Sequence, residues 1–210
     1  MINVLIVEDD PMARKLLEIY INDSEEYKLS QSIESAAMAE LYCRRNPIDL
    51  ILMDVCTAMD ANGLDAAAKI KKSCPHIKII IVTSQPEFSF IERARKAGVE
   101  SFWYKSASAE EIIEVMNITM AGGSVYPDTT PSLRLGEALN VDFTEKELLV
   151  LREVVDGEAD ADIAEKLGMS LRTVKAHIQN MRDKTGFRNR TELAVRVRES
   201  GLVINDHKTE

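Results

Sequence analysis

Over the first 120 residues, short apolar runs alternate with longer stretches in which apolar side chains recur every three or four positions. The runs Val4–Val7, Lys28–Ser32, Leu50–Met53, Lys78–Val82 and Ser101–Tyr104 are bounded by polar residues and enriched in strand-forming side chains, which predicts strands. Amphipathic helices are expected between and after them, near 11–21, 35–45, 63–73, 87–97 and 108–120. Five βα units in succession predict a doubly wound α/β domain, a parallel sheet with helices on both faces. In such sheets ligands bind beyond the carboxyl ends of the strands, so polar residues at those ends carry the first candidates for chemistry.

Residues 122–142 lose the periodicity and contain Gly122, Gly123, Pro127, Pro131 and Gly136, the composition of a linker whose middle packs at most locally. Thr144-Glu145-Lys146-Glu147 then forms a capping box, which marks the start of a helix. Four helices are expected near 145–156, 160–167, 171–184 and 191–200, followed by a polar tail over 205–210. The second and third are separated by Gly168 with Ser170 as an N-cap, a helix-turn-helix arrangement. On the third, Val174, Ile178 and Met181 share an inward face, whereas Arg172, Lys175, Gln179 and Arg182 form a stripe pointing away from it.

Composition adds a boundary to this picture. The chain has 210 residues, 45% hydrophobic, enough for two modest cores. No apolar run approaches the roughly 20 residues needed to span a bilayer, and Met1-Ile2-Asn3-Val4 enters a strand with no basic region or cleavage site before it. Cys43, Cys56 and Cys74 are odd in number and contain no CxxC pair, which argues against a disulfide framework and fits a reducing cytoplasm. The formal charge of −9 argues against indiscriminate attraction to polyanions, but it is unevenly spread. Residues 1–142 carry 14 Lys and Arg against 22 Asp and Glu, and residues 143–204 carry 11 against 11. Between 170 and 190 six basic side chains face Asp183 alone, so acidic and basic chemistries occupy separate segments.

The acidic chemistry gathers at strand ends: Glu8, Asp9 and Asp10 after the first strand, Asp54 after the third, Thr83 after the fourth and Lys105 after the fifth. Converging carboxylates repel one another, and a hard divalent cation such as Mg²⁺ relieves that repulsion while keeping sites for water and phosphate oxygens. With Mg²⁺ and Lys105 offsetting charge on an incoming phosphoryl group, a carboxylate can attack phosphorus and form an acyl phosphate. Asp10 precedes Pro11 and reads as an N-cap, which leaves Glu8 and Asp9 for the metal. Taken singly, each acid reads equally well as a solvated loop residue or a cap, and Lys105 as a surface lysine.

Val-Glu8-Asp9-Asp10, Met-Asp54-Val, Val-Thr83-Ser and Tyr-Lys105-Ser resemble, in order and approximate spacing, the motifs of the receiver domain of two-component response regulators. The resemblance covers about residues 1–121 and implies a flavodoxin-like, five-stranded parallel sheet. It implies that Asp54 accepts phosphate from a sensor histidine kinase, that Asp9 and Asp54 bind Mg²⁺ with Glu8 assisting, and that the Cys56 carbonyl is a further ligand. Thr83 would then hydrogen-bond the phosphoryl group and Lys105 pair with it. Phe102 sits where receivers carry an aromatic that rearranges on activation, and a buried strand aromatic is the alternative. Two departures stand out. Ala58 replaces a usual proline in a loop one residue longer than normal, which suggests mobility beside Asp54; Ser106 replaces a proline after Lys105.

Residues 143–204 resemble the LuxR/NarL-type DNA-binding domain through Asp162-Ile-Ala-Glu-Lys-Leu-Gly-Met-Ser170, Thr173-Val174-Lys175-Ala176-His177 and Asn189-Arg190-Thr191-Glu192-Leu193. The resemblance implies an all-α four-helix domain whose helix 171–184 enters the major groove of promoter DNA. Lys175, Ala176 and Gln179 would face bases, Arg172 and Arg182 would flank them, and the last helix would support a homodimer. Asp160 and Asp162 depart from the pattern, because acids there oppose phosphate. The combined reading is a cytoplasmic, non-enzymatic transcription regulator switched by phosphorylation at Asp54. Two rivals remain at this point: a phosphatase with Asp54 as nucleophile, which lacks the usual second acid because position 56 is cysteine, and a phosphate-independent transcription factor whose receiver serves only association.

Overall fold

The computed structural model describes residues 1–87, 89–105, 109–200 and 202. Ser106 and the tail 205–210 lie outside the described residues. The chain divides into two units, one of Met1–Ser84 with Phe90–Asp128, the other of Gln85–Ser89 with Thr129–Glu210.

In the first unit the elements run β1 (Ile2–Val7), α1 (Pro11–Asn22), β2 (Tyr27–Ile33), α2 (Ala39–Arg45), β3 (Leu50–Met53), β4 (Cys56–Thr57), β5 (Ala61–Asn62), α3 (Gly63–Ser73), β6 (Lys78–Thr83), α4 (Ser89–Ala97), β7 (Ser101–Tyr104) and α5 (Ala109–Met120). Five strands form one parallel sheet in the order β2-β1-β3-β6-β7. The chain adds β2 on one side of β1 and then β3, β6 and β7 on the other, and this switch creates a crevice at the carboxyl ends of β1 and β3, where Glu8 and Asp54 emerge. Val4, Ile6, Leu50, Leu52, Ile80, Val82 and Trp103 pack with Leu17 and Ile21 of α1 and Ile112, Val115 and Met116 of α5. The alternate residues Leu5, Val7, Ile51, Met53, Ile79 and Ile81 are just as buried, so both sheet faces are covered and the strands read as unbroken apolar runs. Full burial of each such side chain contributes about 1.5–3 kcal/mol relative to exposure.

Local signals set the element ends. Asp10 Oδ1 accepts from the amides of Met12 (2.9 Å) and Ala13 (2.7 Å), with Pro11 at the first helical position of α1. The helix expected over 35–45 starts as a 3₁₀ turn, Ala36–Met38, because the Ser35 hydroxyl caps the Ala37 amide and the Ala36 amide is claimed by Thr57 Oγ1 at 2.9 Å.

The second unit contains the short hairpin β8 (Arg134–Leu135) and β9 (Ala138–Leu139), then α6 (Glu145–Val155), α7 (Asp160–Lys166), α8 (Leu171–Thr185) and α9 (Arg190–Ser200). The hairpin falls in the stretch expected to lack regular structure, and Leu135 and Ala138 join the helical core of Leu148, Leu151, Val154, Ile163, Val174, Ile178, Met181, Leu193 and Val197. Gly186 ends α8 in the left-handed conformation (φ 74), which a side chain would strain.

The capping box of α6 is present, with Thr144 Oγ1 accepting from the Glu147 amide and Glu147 Oε2 accepting from the Thr144 amide at 2.8 Å. Lys184 of α8 adds an ion pair to Glu147 at 2.7 Å. Burial alone would raise the Glu147 pKa, but Lys184 and the Thr144 bonds outweigh it and the pKa is lowered. Stability from this group is therefore fully present above its ordinary 4.5 and is lost as pH falls through the lowered value. Glu147→Gln is expected to cost about 1–2 kcal/mol in urea denaturation at neutral pH. The difference should shrink on acidification.

Candidate functional site

Glu8 follows β1 directly, and Asp54 follows β3 with its amide held by Val7 O at 2.9 Å. Lys105 follows β7 with its amide held by Thr83 O at 2.9 Å. Sheet pairing thus brings together residues up to 97 positions apart in sequence. Lys105 Nζ lies 2.8 Å from Asp54 Oδ2 and 2.6 Å from Glu8 Oε2. Asp54 Oδ1 accepts from the Val55 amide at 2.7 Å, and Glu8 Oε1 accepts from the Asp10 amide at 3.1 Å. Carboxylate oxygens of Glu8, Asp9 and Asp54 all lie within 4.8 Å of one another, with Glu8 and Asp54 buried and Asp9 exposed. Thr83 ends β6, fully buried, and Phe102 of β7 is buried as well.

The electrostatics follow from this crowding. Burial, and then the nearby Asp54 charge, push the Glu8 carboxyl up to about 7 despite the Lys105 ammonium beside it. Burial likewise raises Asp54 against the pull of Lys105 and the Val55 amide. Desolvation works against the Lys105 ammonium, but Asp54 and Glu8 outweigh it and its pKa is raised. One cation is shared between two buried carboxylates that would otherwise repel, and the third carboxylate opens the pocket to solvent.

Gly63, which ends the lengthened loop after Asp54, and Arg14, which did not stand out in the sequence, also shape the pocket. A Cβ on Gly63, the first residue of α3, would lie 1.8 Å from Asp54 O, so only glycine lets α3 start against the backbone of Asp54. Arg14 of α1 donates to Glu8 O at 2.9 Å and pairs with Glu34 at 3.1 Å. No periodicity marks either residue; both roles depend on tertiary contact.

The loop after Asp54, expected to be mobile, is a hydrogen-bonded hairpin. Strands β4 and β5 pair antiparallel, Thr57 Oγ1 donates to Ala61 O at 2.6 Å, and the Ala58 amide donates to Glu34 O at 2.9 Å. The turn needs left-handed backbone at Met59 (φ 64) and Asp60 (φ 51), at roughly 1–2 kcal/mol per non-glycine residue. Cys56 lies on β4, two residues past Asp54 and partly exposed.

On α8, Val174, Ile178 and Met181 are buried, and Arg172, Lys175, Ala176 and Gln179 are exposed together on the opposite side. His177 is half-buried. Arg182 is engaged locally, donating to Gln179 Oε1 at 3.0 Å and to Arg188 O, while Gln179 Nε2 donates to Asp183 at 2.7 Å. Asp160 pairs with Arg190 at 3.3 Å, which offsets one of the two acids on that helix edge; Asp162 stays exposed.

The family model described as response regulator receiver domain matches residues 4–117, and that for the luxR family of bacterial regulatory proteins matches residues 141–197. This chain belongs to the response regulators. Its receiver is joined to a LuxR-type helix-turn-helix domain, so it is a DNA-binding transcription regulator of a two-component system. The chain is 29% identical over 207 residues to the response regulator protein VraR of Staphylococcus aureus, covering 96% of this chain and 99% of VraR. VraR of Staphylococcus epidermidis matches to the same extent. Among solved structures, an RcsB–DNA complex superposes with a TM-score of 0.59 at 17% identity, covering 94% of this response regulator and 98% of that chain. ChrA, from a heme-sensing two-component system, superposes at 0.52 with 19% identity, covering 96% and 98%. At these identities the superpositions show a shared fold. Among the described residues, no helix of the regulator is long and apolar enough to cross a membrane.

Proposed function

We propose that Asp54 accepts a phosphoryl group from the phosphohistidine of a sensor kinase, and that this modification controls dimerisation and promoter binding in the cytoplasm. In the transfer an Asp54 carboxylate oxygen forms the new bond to phosphorus while the phosphorus–nitrogen bond to the kinase histidine breaks. The observation that carries the reading is the Lys105 ammonium held at 2.8 Å from buried Asp54 and 2.6 Å from buried Glu8, a preformed positive charge beside the strand-end carboxylates. Lys105 would follow the added charge onto a phosphoryl oxygen, and Thr83 would donate its hydroxyl to another.

Three carboxylates within 4.8 Å make a hard oxygen donor set, which suits Mg²⁺. Glu8, Asp9 and Asp54, with the carbonyl of Cys56, would hold it, and the ion would supply charge neutralisation for the incoming group. Domain limits follow the same reading: a receiver over 1–121, a connecting segment over 122–142 and a DNA-binding domain over 143–204. In the latter, Lys175, Ala176 and Gln179 present the base-facing surface, flanked by Arg172 and Arg182. A structure described as two RcsB dimers bound to two parallel DNAs supports binding of DNA as a dimer here.

The test is incubation of the full chain with Mg²⁺ and acetyl phosphate, followed by intact-mass and inorganic-phosphate measurement. A lasting gain of one phosphate supports the reading. Rapid phosphate release without accumulation points instead to a phosphatase, and no modification at all to a regulator that works without phosphate.

A further inference from the structure

Three residues past Asp54, the Thr57 side chain of β4 is buried. Its Oγ1 accepts from the Ala36 amide at 2.9 Å and donates to Ala61 O of β5 at 2.6 Å, so one hydroxyl joins both strands of the hairpin to the segment that follows β2. The Ala58 amide adds a second tie to that segment, donating to Glu34 O at 2.9 Å. A proline at 58 has no N–H and would forfeit this bond. Strands of two residues each pair too briefly to be stable alone, and the turn between them runs through Met59 (φ 64) and Asp60 (φ 51), where side chains are disfavoured. The hairpin therefore relies on its ties to the segment after β2. That segment is itself fixed to the pocket: the Glu8 amide donates to Ile33 O at 3.0 Å, and Arg14 bridges Glu8 O and the Glu34 carboxylate.

We propose that Thr57 is a positioning residue for the acidic pocket, setting the Cys56–Thr57 peptide whose carbonyl would join Glu8, Asp9 and Asp54 around Mg²⁺. The proposal rests on the reading of that pocket as a Mg²⁺ site. A peptide unit is planar, so the direction of the Cys56 carbonyl is set by the backbone on either side of it. On one side the main sheet holds Asp54, whose amide donates to Val7 O at 2.9 Å. On the other the Thr57 hydroxyl holds the chain to the segment that also fixes Glu8. Without the hydroxyl, the carboxylates keep their places on the sheet while the carbonyl must be ordered as the ion binds, and the cost appears as weaker affinity. Mg²⁺ accentuates this, because it demands near-octahedral geometry. The bonds of Asp54 to Val7 and Val55 do not involve Thr57, so the acceptor itself stays in place.

The experiment titrates the full chain with Mg²⁺, with no phosphodonor present, and reads the dissociation constant from amide chemical shifts of the pocket residues. Thr57→Val keeps the shape and removes the hydroxyl, and is expected to raise the constant about tenfold, the scale on which groups that orient a metal ligand act. Thr57→Ser keeps the hydroxyl and is expected to stay near the native value. Thr57→Ala, which places no methyl against the Ala36 amide, guards against misfolding of the valine variant. With acetyl phosphate added, the Mg²⁺ concentration for half-maximal phosphate gain should rise by the same factor, while the rate at saturating Mg²⁺ stays near native. Native-like constants in folded Thr57→Val or Thr57→Ala, or a loss in Thr57→Ser as large as in Thr57→Val, would overturn the proposal. So would loss of the fold in both hydroxyl-free variants, which would make Thr57 a residue of the fold and not of the site. A native chain whose shifts ignore Mg²⁺ would remove the metal reading on which the proposal rests, and the proposal with it.

Discussion

Asp54→Ala is expected to gain no phosphate from acetyl phosphate, and Lys105→Ala to gain it about 10²-fold more slowly than the native chain. The first follows because the other carboxylates near the pocket differ from Asp54 in a way that matters for attack. Glu8 is pushed up to about 7 by burial and the neighbouring charge and also accepts from the Asp10 amide, and Asp9 is exposed. The second follows from the position of the ammonium. Lys105 Nζ sits 2.8 Å from Asp54 Oδ2 in a largely buried site, and a preorganised charge at developing phosphoryl oxygens contributes about 10²–10³ in rate when removed singly. Lys105→Ala also leaves two buried carboxylates facing each other without a cation, so part of the loss will appear as protonation of the pair. Phosphate gain should then fall further as pH is lowered. Circular dichroism separates this effect from unfolding, since the sheet core does not depend on the pair.

Substitutions on α8 should split into two signatures on DNA. Arg172→Ala removes an exposed cation that flanks the base-facing positions and is expected to weaken binding to all duplexes alike and to reduce the salt dependence by about one unit of slope. Gln179→Ala is expected to cost about 1–3 kcal/mol on a preferred duplex and far less on others, relaxing selectivity at one base pair. The chemistry of its neighbours explains the specificity. Asp183 can only accept and Arg182 can only donate, so the amide is oriented with its nitrogen toward Asp183 and its oxygen toward Arg182. One N–H and one lone pair remain, the complement of the adenine edge in the major groove. Competition binding against duplexes from a random-sequence pool, at two salt concentrations, reads both signatures.

Much of the architecture was legible because burial on both faces leaves a plain mark. Central runs such as Ile79–Val82, with no polar interruption, predicted the parallel sheet, and the pocket followed from polar residues at the strand ends. Asp10 could be separated from Glu8 and Asp9 because a proline follows it, and the cap bonds to Met12 and Ala13 are those expected of that pair. What escaped the sequence depends on contacts between distant residues or on backbone conformations that the residue types do not favour. The hairpin after Asp54 turns through Met59 and Asp60 at positive φ and is fastened by Thr57 to Ala36, so a reading based on turn-forming residues saw only a long loop. Ser124–Tyr126 is too short to show any periodicity, yet it covers the edge of β7. The acid at 160 looked like an obstacle to DNA until Arg190, thirty positions on, was found beside it.

The account stands or falls on whether phosphate on Asp54 changes DNA binding. One duplex recovered from a random-sequence pool, held at fixed salt, should be titrated with the native chain before and after phosphorylation and with Asp54→Ala treated identically. The account predicts at least about tenfold tighter binding for the phosphorylated native chain and no change for Asp54→Ala. Equal affinities before and after, with the phosphate verified by mass, would contradict it.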